Sequence, residues 1–298
     1  MSDTVDATLH EHAPPAAPTG GVREFARRYA RNRGAVAGAV VLIIVLALAA
    51  LAPLIYPASP WQMTGAPFMH PFSPGFPLGT DSLGRDIAAG IAHGARVSLL
   101  VGSVSTVVAI AIGVTLGALA GYHGGTVDDA IMRFTEFFQT IPGFVLAVVL
   151  VAIFKPSIMS IVVAIGIVSW PAVTRLVRGQ VLSLRSREFV AAAVALGAGN
   201  LRIIFTEILP NTLSPIIVLA SLMVASAILL ESALSFLGLG DPNLMSWGYM
   251  IGAGRSLLRL AWWMSVFPGI AILLTVLALN LVGEGLNDAL NPRLARRR

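Results

Sequence analysis

Long apolar segments dominate this chain and limit the structures it can form. Six of them have at least 18 residues, at positions 35–56, 97–121, 137–154, 158–177, 212–237 and 262–282. A helix of about 20 apolar residues spans the hydrocarbon core of a bilayer. Only 12% of the residues are charged, whereas a soluble domain carries about 25%. The sequence therefore predicts an all-α, polytopic membrane protein with six transmembrane helices.

Basic residues are distributed unevenly between the segments that flank these spans. We place both termini and the loops 122–136 and 178–211 in the cytoplasm, which puts fourteen of the twenty basic residues on that side, and a fifteenth, Arg175, lies at the cytoplasmic end of the fourth span. The five exceptions are Arg85, Arg96, Lys155, Arg255 and Arg259. This asymmetry follows the positive-inside rule. The sequence pI of about 10.4 is therefore explained by membrane topology, and no nucleic-acid partner is predicted.

The N-terminal part divides into a tail, an anchor and a loop. Residues 1–21 are rich in Pro, Gly and small polar residues and are predicted to form a disordered cytoplasmic tail. Residues 22–96 would supply an anchor helix and an external loop. A signal peptide is the alternative to the anchor, but its apolar region would have only about 7–15 residues. We therefore expect the first span to be retained.

Residues 185–215 connect the fourth and fifth predicted spans and are more than a linker. Good helix formers occupy residues 188–196, with Glu188 in the first turn. Gly197 follows at a position typical of a helix end. The pattern predicts a short helix at about residues 186–199, between two membrane spans.

This segment resembles the cytoplasmic loop of the membrane subunits of ATP-binding cassette importers. The loop pattern is Glu-Ala-Ala, three residues, Gly, nine residues, Ile, one residue and Leu-Pro. Set on Gly197, it matches both alanines and the final Leu-Pro of this chain. In that family the loop forms a coupling helix that lies in a groove of the ATPase. The resemblance implies docking by Arg187, Glu188, Ala192, Ala193, Gly197, Leu209 and Pro210.

Two positions depart from the pattern. Its glutamate falls on Ala191, and its isoleucine falls on Glu207, with Ile208 one place later. Glu188 stands three residues before Ala191, on nearly the same helical face, and is a candidate for the missing acid. The departures leave the salt bridge to the ATPase open. The alternative interpretation is an amphipathic interfacial helix that carries Ala and Gly by chance.

The polar segment 57–96 contains a second motif, L-G-T-D-S-L-G-R-D at residues 78–86. It is similar to an external loop of the dipeptide and oligopeptide branch of these permeases. Glycines permit tight turns, and neighbouring charged side chains can pair locally. We expect a self-contained loop that closes the outer face; direct contact with substrate is the alternative. The structural residues of this loop would be Gly79, Asp81, Gly84, Arg85 and Asp86.

The motifs S-W-G-Y-M at residues 246–250 and N-L-V-G-E-G-L-N-D-A-L-N-P-R at residues 280–293 also resemble that branch. The resemblance covers about residues 22–293 and implies a type I ABC importer permease fold, with a core at 97–293 and a basic tail at 294–298. It implies import of di- or oligopeptides, or related small solutes, across a bacterial inner membrane. The implied partners are a second, homologous permease subunit in a heterodimer, two ABC ATPase subunits and an extracytoplasmic substrate-binding protein.

Two acids fall within or beside predicted spans, where a charge at a helix centre costs about 2.5–3.5 kcal/mol on insertion scales. We expect Glu231 to form a structural pair with an arginine and Glu136 to pair with Arg133. The alternative function is that of a proton-coupled secondary transporter in which Glu136 or Glu231 carries the proton.

Motifs for chemistry are absent from the sequence. The five histidines form no H-E-x-x-H pair, there is no G-x-x-x-x-G-K-[ST] phosphate loop, and the chain has no cysteine. We therefore predict no catalytic residue, no metal site and no cofactor, and assign ATP hydrolysis to partner subunits. A membrane-embedded enzyme, which would need a cluster of titratable groups, ranks last.

Overall fold

The computed structural model describes residues 22–290, which form an all-α bundle. The predicted tails at residues 1–21 and 294–298 lie outside the described residues. In chain order the helices are α1 (Val22–Arg31), α2 (Arg33–Ile55), α3 (Ile87–His123), α4 (Gly125–Thr140), α5 (Gly143–Phe154), α6 (Ile158–Arg185), α7 (Glu188–Ala195), α8 (Asn200–Leu239), α9 (Trp247–Gly254) and α10 (Trp263–Leu290).

Five helices, α2, α3, α6, α8 and α10, are each long and apolar enough to cross a membrane. They coincide with five of the six predicted spans and confirm them. We call the end of the bundle with residues 57–86 and α9 the loop end, and the opposite end the α7 end. Helix α3 runs from the loop end to the α7 end, and α6 runs in the same direction into α7.

The third predicted span has a different form. It is shared between the last residues of α4 and the whole of α5, and these two helices are bent by 84°. Pro142 explains the break, because a proline pushes the preceding residue out of helical geometry, and Ile141 is extended with φ −88° and ψ 125°. Helix α5 has 12 residues and is about 18 Å long. Counted as one broken span, the pair gives a sixth candidate by length and composition.

Helix α3 begins earlier than the polarity of the sequence suggests. Residues 57–96 were predicted to lie in the external loop, but α3 starts at Ile87. The Asp86 side chain caps it by accepting a hydrogen bond from the Ala88 N–H at 2.8 Å. Residues 87–96 consist mainly of alanine, glycine and isoleucine, with two strongly polar side chains, His93 and Arg96, so the predicted loop extended ten residues too far.

Three glycines with a spacing of four residues bring α3 and α6 together. Gly113, Gly117 and Gly121 all face α6. A Cβ at Gly117 would lie 2.6 Å from the Thr174 carbonyl oxygen, and one at Gly121 would lie 2.8 Å from the Arg178 carbonyl oxygen. Small residues at this spacing let membrane helices approach backbone to backbone. The α3–α6 pair is therefore closely interlocked over the half of α3 nearest the α7 end.

Candidate functional site

Helix α7 forms where the sequence predicts a short helix, and its end is sharply defined. Gly197 has φ +77°, the left-handed conformation typical of a residue just past a helix end. The Gly197 N–H donates to the Val194 carbonyl at 2.9 Å, and the Ala198 N–H donates to the Ala193 carbonyl at 3.1 Å. These two bonds are those of a Schellman motif. Gly197 therefore has a structural role at the end of α7.

One side of α7 is packed into the bundle. The Val190 side chain is only 3% exposed and belongs to a cluster that includes Tyr122 of α3, Val181 of α6 and Ile203 of α8. Ala193 packs against the edge of the same cluster. Because three spanning helices contribute to this cluster, a displacement of α7 acts on all of them.

The other side of α7 and the following turn carry an exposed apolar surface, which we call the α7 apolar surface. Its side chains are 39–89% exposed. It consists of Phe189, Val194, Leu196, Leu201 and Phe205.

Polar residues surround this surface. Arg187 and Glu188 are exposed beside it, and Glu188 makes no ion pair within residues 22–290. Exposed apolar side chains beside charged ones are typical of a protein or membrane interaction site. Ala192 is exposed on the same helix, so it is also accessible to a partner.

The departure from the importer pattern at Glu207 has a simple structural explanation. Residues Ile203–Ile208 form a π-helical turn at the start of α8. Ile208 is fully buried there, whereas Glu207 is half-buried. The apolar side chain thus occupies the interior although it stands one place later than in the pattern. Leu209 packs against the cluster that holds α7, while Pro210 is exposed.

At the loop end, residues 78–86 form a compact and internally bonded loop. Gly79 and Gly84 have positive φ angles of +79° and +77°, and a Cβ at Gly84 would lie 2.1 Å from a backbone oxygen. The Asp81 carboxylate accepts from the Arg85 N–H at 2.8 Å and lies 3.9 Å from the Arg85 guanidinium. Burial raises the pKa of Asp86, opposed by the hydrogen bonds that it accepts at the start of α3.

This loop is also fixed to the start of α10. The buried Thr80 donates through Oγ1 to the Ala66 carbonyl at 2.6 Å. Its own carbonyl accepts from the Trp263 indole N–H at 3.0 Å. The His70 ring lies 4.7 Å from the Trp263 ring, centroid to centroid. Contacts of this kind favour a closed, self-contained loop.

Glu231 does not pair with an arginine, and that prediction was wrong. Its side chain is 2% exposed and accepts hydrogen bonds from three serine hydroxyls, those of Ser246 at 2.7 Å, Ser235 at 2.8 Å and Ser232 at 3.4 Å. Ser246 also caps α9 by accepting from the Tyr249 N–H at 3.0 Å. Glu231 thus ties the end of α8 to the start of α9.

Comparison with known proteins identifies the family of this chain. Residues 113–296 match the family described as binding-protein-dependent transport system inner membrane component. Residues 22–74 match the N-terminal TM domain of oligopeptide transport permease C. The chain belongs to the binding-protein-dependent transport system inner membrane components. Members of this family are permease subunits of ABC importers, so this chain is an inner-membrane permease with a transport role.

Relatives place this permease in the peptide and dipeptide branch of the family. The chain is 41% identical to the di/tripeptide transport system permease protein DppC of Pseudomonas aeruginosa, over 92% of each chain. It is 40% identical to the oligopeptide transport system permease protein OppC of Haemophilus influenzae, over 90% of this chain and 87% of that one. It is 41% identical to the glutathione transport system permease protein GsiD of Pectobacterium atrosepticum, over 91% of each.

Glu136 of the permease also differs from expectation. It is exposed on α4 and forms no ion pair with Arg133 in the described structure. The ion pair of α4 lies instead at Asp128, which is buried. Asp128 accepts two hydrogen bonds from the Arg178 guanidinium of α6, at 2.5 and 2.6 Å. No local pattern in the sequence indicates this pair, because its members are 50 residues apart.

The interlocked glycines of α3 were also missed, although their signal was present in the sequence. A repeat of Gly at every fourth residue in an apolar helix is a known helix-contact pattern. It identifies a packed face without identifying the helix that packs on it. The structure supplies that helix as α6, which continues directly toward α7.

Proposed function

We propose that this chain forms, with a homologous permease subunit, the pathway of an ATP-driven importer for di- or oligopeptides or related small solutes. The observation that carries the proposal is the α7 apolar surface. It lies on a short helix whose opposite side is packed among α3, α6 and α8. The names of the relatives, which include di/tripeptide, oligopeptide and glutathione systems, support this substrate range. ATP hydrolysis belongs to separate partner subunits.

In this proposal the α7 end faces the cytoplasm and the α7 apolar surface docks an ATPase subunit. The distribution of basic residues supports this orientation, with both termini in the cytoplasm. Closure of two ATPases around nucleotide displaces α7. The spans then change between inward-open and outward-open arrangements, a two-state change biased by nucleotide.

The loop end faces the extracytoplasmic binding protein in the same scheme. The hydrogen bonds of Thr80 hold residues 78–86 in one conformation. A rigid loop gives a binding protein a fixed surface and does not need to contact the transported peptide. Selection among peptides is therefore assigned mainly to the binding protein.

Docking is tested by cysteine cross-linking, for which this cysteine-free chain is well suited. Leu196→Cys, at the most exposed position of the α7 apolar surface, should cross-link to the co-expressed ATPase. Leu258→Cys at the loop end, whose native side chain is 49% exposed, is the matched control. Cross-linking at neither position, in membranes where the importer is active, would refute the docking role.

The charge of Glu188 is tested separately. Glu188→Lys should weaken co-purification of the ATPase if this acid substitutes for the one missing at Ala191. Glu284→Lys reverses another exposed acid, on α10, and should leave co-purification unchanged. Equal recovery of the ATPase with both variants would exclude the substitution.

A transport assay separates this proposal from proton-coupled transport. Proteoliposomes with the complete importer and internal ATP should accumulate peptide in the presence of the binding protein. Proteoliposomes with this chain alone and an imposed pH gradient should not. Gradient-driven uptake by the single chain would overturn the proposal.

A further inference from the structure

A cavity of about 450 Å³ opens at the loop end of the bundle. Its volume lies in the usual range of ligand pockets, about 300–1,000 Å³. Its wall is mainly apolar, with side chains from the loop, from α3 and from the starts of other elements. They include Trp61, His93, Arg96 and Leu100.

The wall of this cavity is held in place by contacts outside it. The Trp61 ring packs against the Tyr249 ring, with 5.2 Å between the ring centroids, and the Arg85 guanidinium lies over the Trp61 ring at 4.8 Å from its centroid. His93 Nε2 lies 3.0 Å from the Tyr56 carbonyl, which can only accept, so Nε2 donates. Two side chains of the cavity wall, Trp61 and His93, are therefore held in place by contacts outside the cavity.

Arg96 is the one cationic side chain that lines the cavity. It is exposed and forms no ion pair with any carboxylate in residues 22–290. Two other arginines of the loop end have partners: Arg85 lies near Asp81, and Arg255 donates to the Phe236 carbonyl at 2.7 Å. No acidic residue lines the cavity. The site therefore favours an anion and offers nothing to a cation.

An exposed apolar stripe continues from Arg96 along α3. It consists of Leu100, Val104 and Val107, which are 51%, 42% and 65% exposed. These positions share one face of the helix with Arg96. From Arg96 to Val107 the helix rises about 16 Å, close to half of the roughly 30 Å hydrocarbon core of a bilayer. The stripe thus has the length of one leaflet, with the cation at its polar edge.

We propose that this cavity binds a glycerophospholipid of the outer leaflet, with its phosphate on Arg96 and an acyl chain along the α3 stripe. A charge-assisted hydrogen bond from the guanidinium holds the phosphate. Leu100 and the residues below it contact the acyl chain. A short peptide fits less well, because its amino terminus would find no carboxylate in the cavity wall.

Native mass spectrometry of the purified full chain in dodecyl maltoside tests the proposal, with dioleoyl phosphatidylglycerol as the probe. Arg96→Gln should weaken lipid binding about tenfold, the scale of one hydrogen bond to a charged group. Leu100→Asn should also weaken it. Arg259→Gln, at another exposed arginine of the loop end, is the control and should change binding less than twofold.

A second measurement uses the unmodified chain, so its result does not depend on the folding of any variant. Addition of the lipid should slow hydrogen exchange in residues 93–107, whereas equal concentrations of inorganic phosphate or dialanine should not. The proposal is overturned if the lipid gives no protection, if both arginine variants lose lipid equally, or if phosphate or dialanine binds as strongly as the lipid through Arg96. Equal loss would indicate diffuse attraction to the membrane surface, and dialanine binding would indicate a substrate subsite.

Discussion

Replacing Gly197 by valine should uncouple ATP hydrolysis from uptake. The backbone at Gly197 has φ +77°, whereas that at Gly199 has φ −69°. A Cβ at either glycine would meet no other atom within 4 Å. Gly199→Val is therefore a close control, because the two substitutions differ mainly in the backbone conformation that they must adopt.

The size of the effect follows from this conformation. Left-handed backbone costs a residue with a Cβ roughly 1–2 kcal/mol, and loss of the cap would also remove two hydrogen bonds of about 1 kcal/mol each. Helix α7 has only eight residues, too few to be stable without packing and capping. A penalty of one or two kcal/mol lowers the ratio of correctly capped to uncapped α7 by about 5–30-fold.

The assay is peptide uptake and ATP hydrolysis by the reconstituted importer. Gly197→Val should retain ATP hydrolysis but lose most uptake, and Gly199→Val should retain both. Gly197→Asn should recover part of the uptake, because asparagine tolerates left-handed backbone. If both valine variants transport equally well at equal membrane levels, the assignment of Gly197 to coupling is wrong.

Three further predictions concern stability, measured by unfolding of the purified chain. Gly117→Ala should lower the free energy of unfolding by about 1–3 kcal/mol relative to Gly179→Ala, because only the methyl at position 117 meets a backbone oxygen, at 2.6 Å. The gain in helix propensity is the same in both variants and cancels in the comparison. Equal stability of the two variants would refute close packing at Gly117. Glu231→Leu should destabilise more than Glu231→Gln, which keeps an acceptor for the serine hydroxyls; equal losses would show that charge matters instead. A double-mutant cycle of Asp128→Ala and Arg178→Ala should give a coupling energy of about 0.5–3 kcal/mol. If the free-energy changes of the two single variants simply add, the ion pair does not contribute to stability.

Hydropathy predicted the spans because few backbone conformations are stable in a bilayer. Backbone groups in lipid must be hydrogen-bonded within the chain, so an apolar run of sufficient length becomes a helix. The short helix α7 was predictable for a local reason, since Gly197 marks its end. The bend between α4 and α5 was only partly visible, because Pro142 predicts a break and not an angle of 84°.

Contacts between distant residues were not predictable. Glu231 was expected to need a cation, but its partner Ser246 stands fifteen residues later, beyond a π-helical turn. Three hydroxyl donors stabilise the buried carboxylate through hydrogen bonds, which a search for opposite charge overlooks. Asp128 and Arg178 meet only because the chain returns through α5 and α6. Single-sequence patterns identify such groups but do not pair them.

The interlocked glycines make α3 and α6 one rigid unit. Helix α6 has 28 residues and is about 42 Å long. Sliding along α3 would bring α3 side chains to the places of Gly113, Gly117 and Gly121, against carbonyl oxygens of α6. A rigid pair of helices transmits a displacement at the α7 end to the loop end. We therefore expect deformation of the bundle to concentrate outside this pair, at the 84° bend between α4 and α5.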